Sequence, residues 1–151
     1  MLDDTDRRIL RQFQAEPDLS AQGLADRVGL SHGACWRRLE KLRGSGILKG
    51  QEAVIDWRAL GWAVRVSLRI TLDKTRRNAF DAFLEEVRKV PEVLEIQTLL
   101  GRVDIRLELI ARDLSHYQTI WRDRILTLPH IADIEALMHV ADIKSVDELP
   151  L

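Results

Sequence analysis

The chain has 151 residues, with 23 Lys and Arg against 24 Asp and Glu, a net charge of −1 and a hydrophobic share of 46%. That length and composition fit a globular protein of one ordinary domain or two small ones, and exclude disordered, collagenous and low-complexity classes. No run of about 18 apolar residues is present, which excludes a helical membrane span. The single cysteine, Cys35, excludes an intramolecular disulfide and a cysteine-rich zinc site.

The acidic start Leu2-Asp3-Asp4 lacks the basic-then-apolar order of a secretory signal, so a cytoplasmic location is expected. Charge is unevenly spread. Residues 1–50 hold 9 Lys and Arg against 7 Asp and Glu, whereas residues 51–151 hold 14 against 17. Within 32–49, Arg37, Arg38, Lys41, Arg43 and Lys49 face Glu40 alone. Such a basic stretch in a neutral chain suggests a small anion-contacting surface, although a solvated helix face has the same composition.

In chain order, residues 3–15 read as a helix capped by Asp3 or Asp4, with Ile9, Leu10 and Phe13 as its apolar stripe. Pro17 and Asp18 break it. Ser20 caps a second helix with Leu24, Ala25 and Val28 inward, and Gly29 ends it. Ser31 caps a third helix running to about Ser45, before Gly46. Two short helices joined by Gly29-Leu30-Ser31 make a helix-turn-helix pattern, although three helices of this size also suit a plain helical module.

In the third helix Cys35, Leu39 and Leu42 fall on one face and predict a core side. Cys35 then reads as a small core residue. Ser31, His32, Gly33, Trp36, Arg37, Arg38, Lys41 and Arg43 are the candidate DNA-binding residues. The N-terminal half of a recognition helix reaches base edges, and small Gly33 would permit close approach. Arg37 suits a bidentate contact to guanine. Arg38, Lys41 and Arg43 suit phosphates, which position without specifying. Trp36 suits either this outer face or packing against the first helix.

Residues 47–55 have strand character, and Asp56 to Trp62 reads as a hinge. Residues 63–72 alternate, with Val64, Val66, Leu68, Ile70 and Leu72 on one face. A helix over about 75–90, a strand over 92–100, a turn at Gly101-Arg102, a strand over 103–111, a helix over about 113–128 and a strand over 131–141 follow. Asp73 and Asp113 precede the two helices; Pro91 and Pro129 end them. This repeated strand-helix-strand unit predicts a βαββαβ ferredoxin-like domain with a four-stranded antiparallel sheet and both helices on one face. The other face should carry Arg65, Ser67, Arg69, Glu95, Gln97, Arg106, Glu108 and Glu135, available for pairing across a symmetric dimer or for solvent.

The fold class is therefore α+β: a winged-type helix-turn-helix over 1–50, a strand and hinge over 51–62, and a ferredoxin-like domain over 63–151. Two small domains are marginal alone, which favours association. No Walker loop, GxSxG or HExxH motif is present, and His32, His116, His130 and His139 have no metal-ligand spacing. No enzyme activity, cofactor or metal is expected.

Four blocks in order carry a resemblance: Leu2-Asp3-x-x-Asp6-x-x-Ile9-Leu10, Leu24-Ala25-x-x-Val28-Gly29-Leu30-Ser31, Cys35-Trp36-Arg37-Arg38-Leu39-x-x-Leu42, and Gly46-Ile47-Leu48-x-Gly50. Together they resemble the Lrp/AsnC, or feast/famine, regulators of bacteria and archaea, over essentially the whole chain. The resemblance implies a transcriptional regulator that binds double-stranded DNA, forms homodimers that can join into octamers, and takes an amino-acid effector near the turn between the second and third strands of the ferredoxin-like domain. The family pattern there is Gly, acidic, aromatic, Asp, aromatic. Here it reads Gly101-Arg102-Val103-Asp104-Ile105, so Gly101 and Asp104 match while Arg102, Val103 and Ile105 depart. Gly101, Arg102 and Asp104 are the candidate effector residues, with Asp104 as acceptor for an ammonium group. The other reading is a small-molecule-binding oligomer whose N-terminal helices mediate protein contacts.

Overall fold

A computed structural model describes residues 2–145 and 148–151. The chain divides into two compact units, Met1–Val54 with Lys144–Leu151, and Ile55–Ile143. The expected second domain, 63–151, thus differs at its end, because the final residues pack on the first unit. The Leu149 amide donates to Gln14 Oε1 at 2.9 Å, Gln14 Nε2 donates to the Leu149 carbonyl at 3.3 Å, and Leu151 joins the apolar cluster there.

The first unit holds α1 (Asp4–Ala15), α2 (Ala21–Val28) and α3 (His32–Gly44). Asp3 caps α1 reciprocally with Asp6, satisfying first-turn amides that have no intrahelical partner. The Ser20 and Ser31 hydroxyls accept from the Gly23 and Ala34 amides at 3.0 and 3.3 Å, starting α2 and α3. Ile9, Leu10, Leu24, Ala25, Val28, Cys35, Leu39 and Leu42 form one buried cluster.

The expected strand at 47–55 does not form. The Ile47 and Leu48 amides both donate to the Leu42 carbonyl at 3.1 Å, and Leu48 packs on the helical cluster. This folds the chain over the end of α3 instead of extending it. Beyond it, Asp56 Oδ1 accepts from the Arg58 and Ala59 amides, making a turn where a hinge was expected.

The second unit holds β1 (Val64–Leu72), α4 (Ala79–Val87), β2 (Val93–Thr98), β3 (Ile105–Ala111), α5 (Leu114–Ile120), a π turn (Trp121–Ile125) and β4 (Ile131–Met138). The sheet order is β2-β3-β1-β4 with all neighbours antiparallel, as a ferredoxin-like fold requires. Val66, Leu68, Ile70 and Leu72 of β1 and Ile105, Leu107, Leu109 and Ala111 of β3 meet Phe83, Val87, Ile120, Ile125 and Leu128 in one core.

Both helices are shorter than expected. Asp73 Oδ1 accepts from the Thr75 amide and hydroxyl, which holds the chain in turns until Ala79. The second helix changes pitch at Trp121, where the Leu126 amide reaches back five residues to the Trp121 carbonyl. That wider turn lets Ile120 and Ile125, five apart in sequence, both face the core.

Candidate nucleic-acid interface and effector site

The left-handed backbone of Gly29, φ 68°, and the Leu30 amide bonded to the Ala25 carbonyl at 2.9 Å turn the chain sharply from α2 into α3. With Cys35, Leu39 and Leu42 inward, Ser31, His32, Gly33, Trp36, Arg37, Lys41 and Arg43 are exposed on α3 or at its cap. Trp36 is 47% exposed and lies outside the apolar cluster, with the Arg43 guanidinium 5.8 Å from its ring centre. Arg43 also pairs with Glu40 at 2.9 Å. Arg37 leans toward the start of the helix, its Nη1 lying 3.8 Å from where a side chain on Gly33 would begin. Among the described residues neither Arg37 nor Lys41 joins an ion pair.

Arg38 departs from the expectation of a phosphate contact. Its Nη1 meets Asp3 Oδ2 at 2.6 Å and Asp6 Oδ1 at 2.7 Å, and Asp6 is 1% exposed. A buried carboxylate requires such a partner, so this guanidinium ties α3 to the start of α1. The Arg38 side chain and then the Asp6 amide hold the Asp3 carboxyl below its ordinary range, and the two carboxylates hold Arg38 above its own. Asp6 as a buried partner was not read from the sequence; the Asp3-x-x-Asp6 spacing of a capping box was its only signal. Cys35 is fully buried, and burial pushes its thiol up, as befits a core residue.

In the second unit all eight polar residues expected on the open sheet face make polar contacts, six of them linked through Arg106 and Glu108, with Arg69 and Glu135 as a separate pair. Arg65 Nε meets Glu108 Oε2 at 3.1 Å, Arg106 pairs with Glu108 and donates to Ser67 Oγ at 3.0 Å and Gln97 Oε1 at 3.2 Å, Gln97 donates to Glu95 at 2.7 Å, and Arg69 meets Glu135 at 3.5 Å. Register places two pairs of like charges opposite each other, Arg69 beside Arg106 and Glu95 beside Glu108, whereas Arg69 meets Glu135 and Arg106 meets Gln97 directly across the ladder, and Glu108 is reached diagonally by Arg65 and along its own strand by Arg106. Burial raises the Glu108 carboxyl, but the Ser67 hydroxyl and the Arg106 and Arg65 guanidinium groups outweigh it and leave it below the ordinary range.

Gly101, at φ 154°, and Arg102 form the turn between β2 and β3, with the Arg102 carbonyl accepting from the Thr71 hydroxyl at 3.2 Å. Asp104, the expected acceptor for an ammonium group, already has two partners. Its Oδ2 accepts from the Leu72 amide at 2.9 Å and its Oδ1 meets Lys74 Nζ at 3.1 Å. The Leu72 amide first, and Lys74 after it, hold this carboxyl below its ordinary range. Beside it opens a concavity of about 230 Å³ with Lys74, Arg76 and Arg77 from the β1–α4 loop, Phe80 from α4, and Leu72, Asp73, Ala79 and Asp104. Of the three expected effector residues only Asp104 lines it. The three loop cations were missed, because nothing in the order of residues shows that this loop folds back beside Asp104, some thirty positions on.

Among the described residues no group of three or more His, Cys, Asp or Glu is arranged to hold a metal ion. Among the described residues no helix is long and apolar enough to cross a membrane.

The winged helix-turn-helix DNA-binding model matches residues 2–49, and the Lrp/AsnC ligand binding domain model matches residues 65–149. A helix-turn-helix joined to a ligand-binding ferredoxin-like domain defines the chain as a DNA-binding transcriptional regulator. It is 32% identical to the transcriptional regulator AzlB of Bacillus subtilis over 151 residues, spanning 100% of this chain and 96% of that one. The chain belongs to the Lrp/AsnC family. It is 28% identical to the DNA-binding transcriptional activator DecR of Escherichia coli K12, over 100% of this chain and 99% of that one. A transcriptional regulator of Neisseria meningitidis, solved as a complex with L-Met, superposes with a TM-score of 0.92 at 29% identity, covering 99% of this chain and 97% of that one.

Proposed function

We propose that this regulator acts from the cytoplasm as a homo-oligomer, reads pseudo-palindromic promoter DNA with α3, and answers to an amino-acid effector bound near Asp104. It works by binding, not by catalysis. The observation that carries the reading is the outer face of α3: His32, Gly33 and Arg37 lie together at its N-terminal half, exposed, above a sealed apolar side. In the major groove Arg37 would meet base edges, and Lys41 and Arg43 would meet phosphates, with Trp36 beside them. Ser31 holds the start of the helix in place. Arg38 acts within the fold. The L-Met complex of the neisserial neighbour supports an amino acid as the effector class.

The test is fluorescence anisotropy with DNA from the chain's own upstream region. Affinity should fall steeply with salt, since each phosphate contact releases counterions. Arg37→Ala should cost about 1–3 kcal/mol at the cognate site and far less on random DNA. Equal losses on both would make Arg37 a phosphate contact, and no binding at low salt would favour N-terminal helices that contact protein.

A further inference from the structure

The concavity beside Asp104 is unbalanced in charge. Lys74, Arg76 and Arg77 stand against Asp73 and Asp104. Asp73 is already engaged within its own loop, its Oδ1 accepting from the Thr75 amide at 3.0 Å and hydroxyl at 2.7 Å. Asp104 Oδ2 is fixed by the Leu72 amide, so Oδ1 alone can change partners. Its present partner, Lys74, has a side chain 70% exposed, and an ion pair of that kind is weak and readily exchanged. Among the described residues Arg76 and Arg77 have no carboxylate partner.

An α-amino acid entering this concavity brings an ammonium group for Asp104 Oδ1 and an α-carboxylate for the loop arginines. Its ammonium would displace Lys74 Nζ, leaving a cation with no counter-charge beside the ligand's side chain. A neutral side chain leaves that charge uncompensated. A side-chain carboxylate restores the pair, and the net charge of the site then falls to zero. Phe80, 42% exposed at the rim, offers an apolar surface to the connecting methylenes.

Building on the effector reading above, we infer that the concavity formed by Lys74, Arg76, Arg77, Phe80 and Asp104 selects an acidic α-amino acid, with Lys74 handed from Asp104 to the ligand's side-chain carboxylate. Lys74 is the specificity-determining residue in this exchange, and Asp104 takes the ligand ammonium.

Calorimetry on the full chain with L-glutamate, L-aspartate, L-glutamine, L-asparagine, L-leucine, L-methionine and glutarate tests it. At least one acid should bind about tenfold or more tightly than its own amide, the scale of one charge-assisted contact, and glutarate, which lacks the ammonium, should bind weakly. Lys74→Met should erase the preference of acid over amide while amino-acid binding persists. Amides or neutral amino acids binding as tightly as the acids, or a preference unchanged in Lys74→Met, would overturn the inference and leave the effector reading standing. Silence across all twenty amino acids, in calorimetry and in thermal shift, would instead remove the effector reading itself.

Discussion

Asp6 is 1% exposed, and its carboxylate is stable there only because the Arg38 guanidinium and the Asp3 amide reach it. Arg38→Ala leaves that carboxylate with one backbone donor, and should destabilise the N-terminal unit by about 1–3 kcal/mol, read as a lower melting temperature. An unchanged melt with a shallower salt dependence of DNA binding would return Arg38 to the phosphates. Glu108 is the corresponding residue in the second unit. Its folded pKa lies below the unfolded one, so its contribution is complete above about pH 4.3, the unfolded value, and is lost as pH falls through the folded value. Glu108→Gln should therefore lower stability at neutral pH and flatten the acid limb of a stability profile below about pH 4, monitored by circular dichroism. A parallel acid limb in the variant would assign that limb to other carboxylates, among them Asp3 and Asp104, whose shifts have the same sign.

Gly29 sets the angle between α2 and α3. At φ 68° a side chain crowds the following carbonyl, whereas the space around it is open, with nothing within 4 Å of an added Cβ. The cost of Gly29→Ala is thus one of backbone conformation alone, about 1–2 kcal/mol, measurable by thermal melting. A melt equal to wild type would mean that the turn relaxes to a right-handed form. Other elements were less legible. The helix after β1 begins at Ala79 because Asp73 turns back on Thr75, and local polar competition of this kind is invisible to a 3.6-residue period. The π turn at Trp121 was equally hidden, since an amphipathic pattern assumes one pitch throughout. Residues 47–55 have strand character, but a strand needs a ladder partner, and the Ile47 and Leu48 amides find the Leu42 carbonyl first.

Each unit has its own apolar cluster, and the sheet of the second leaves one face without a helical cover. Arg65, Glu95 and Glu108 on that face surround a concavity of about 390 Å³ with Trp57, Leu94 and Ile110. Leu94 is 63% exposed, and a large apolar side chain beside such a hollow suits burial by a second copy. Leu94→Asp should keep the far-ultraviolet spectrum but sediment as a monomer, with weaker binding to paired half-sites. An unchanged sedimentation coefficient would move the interface elsewhere.

At this scale the order of elements, the helix-turn-helix, the ferredoxin-like repeat and the division of β1 into a core face and a polar face were all legible in the residues alone. Periodicity and caps are local, and they act within a few residues of where they are written. That Arg38 serves Asp6, that Lys74 already holds Asp104 and that residues 148–151 belong with α1 emerged only from the packed fold. Those pairings join positions 30 to 135 residues apart, and a charge in sequence does not say which opposite charge will stand beside it once register and packing have brought distant segments together.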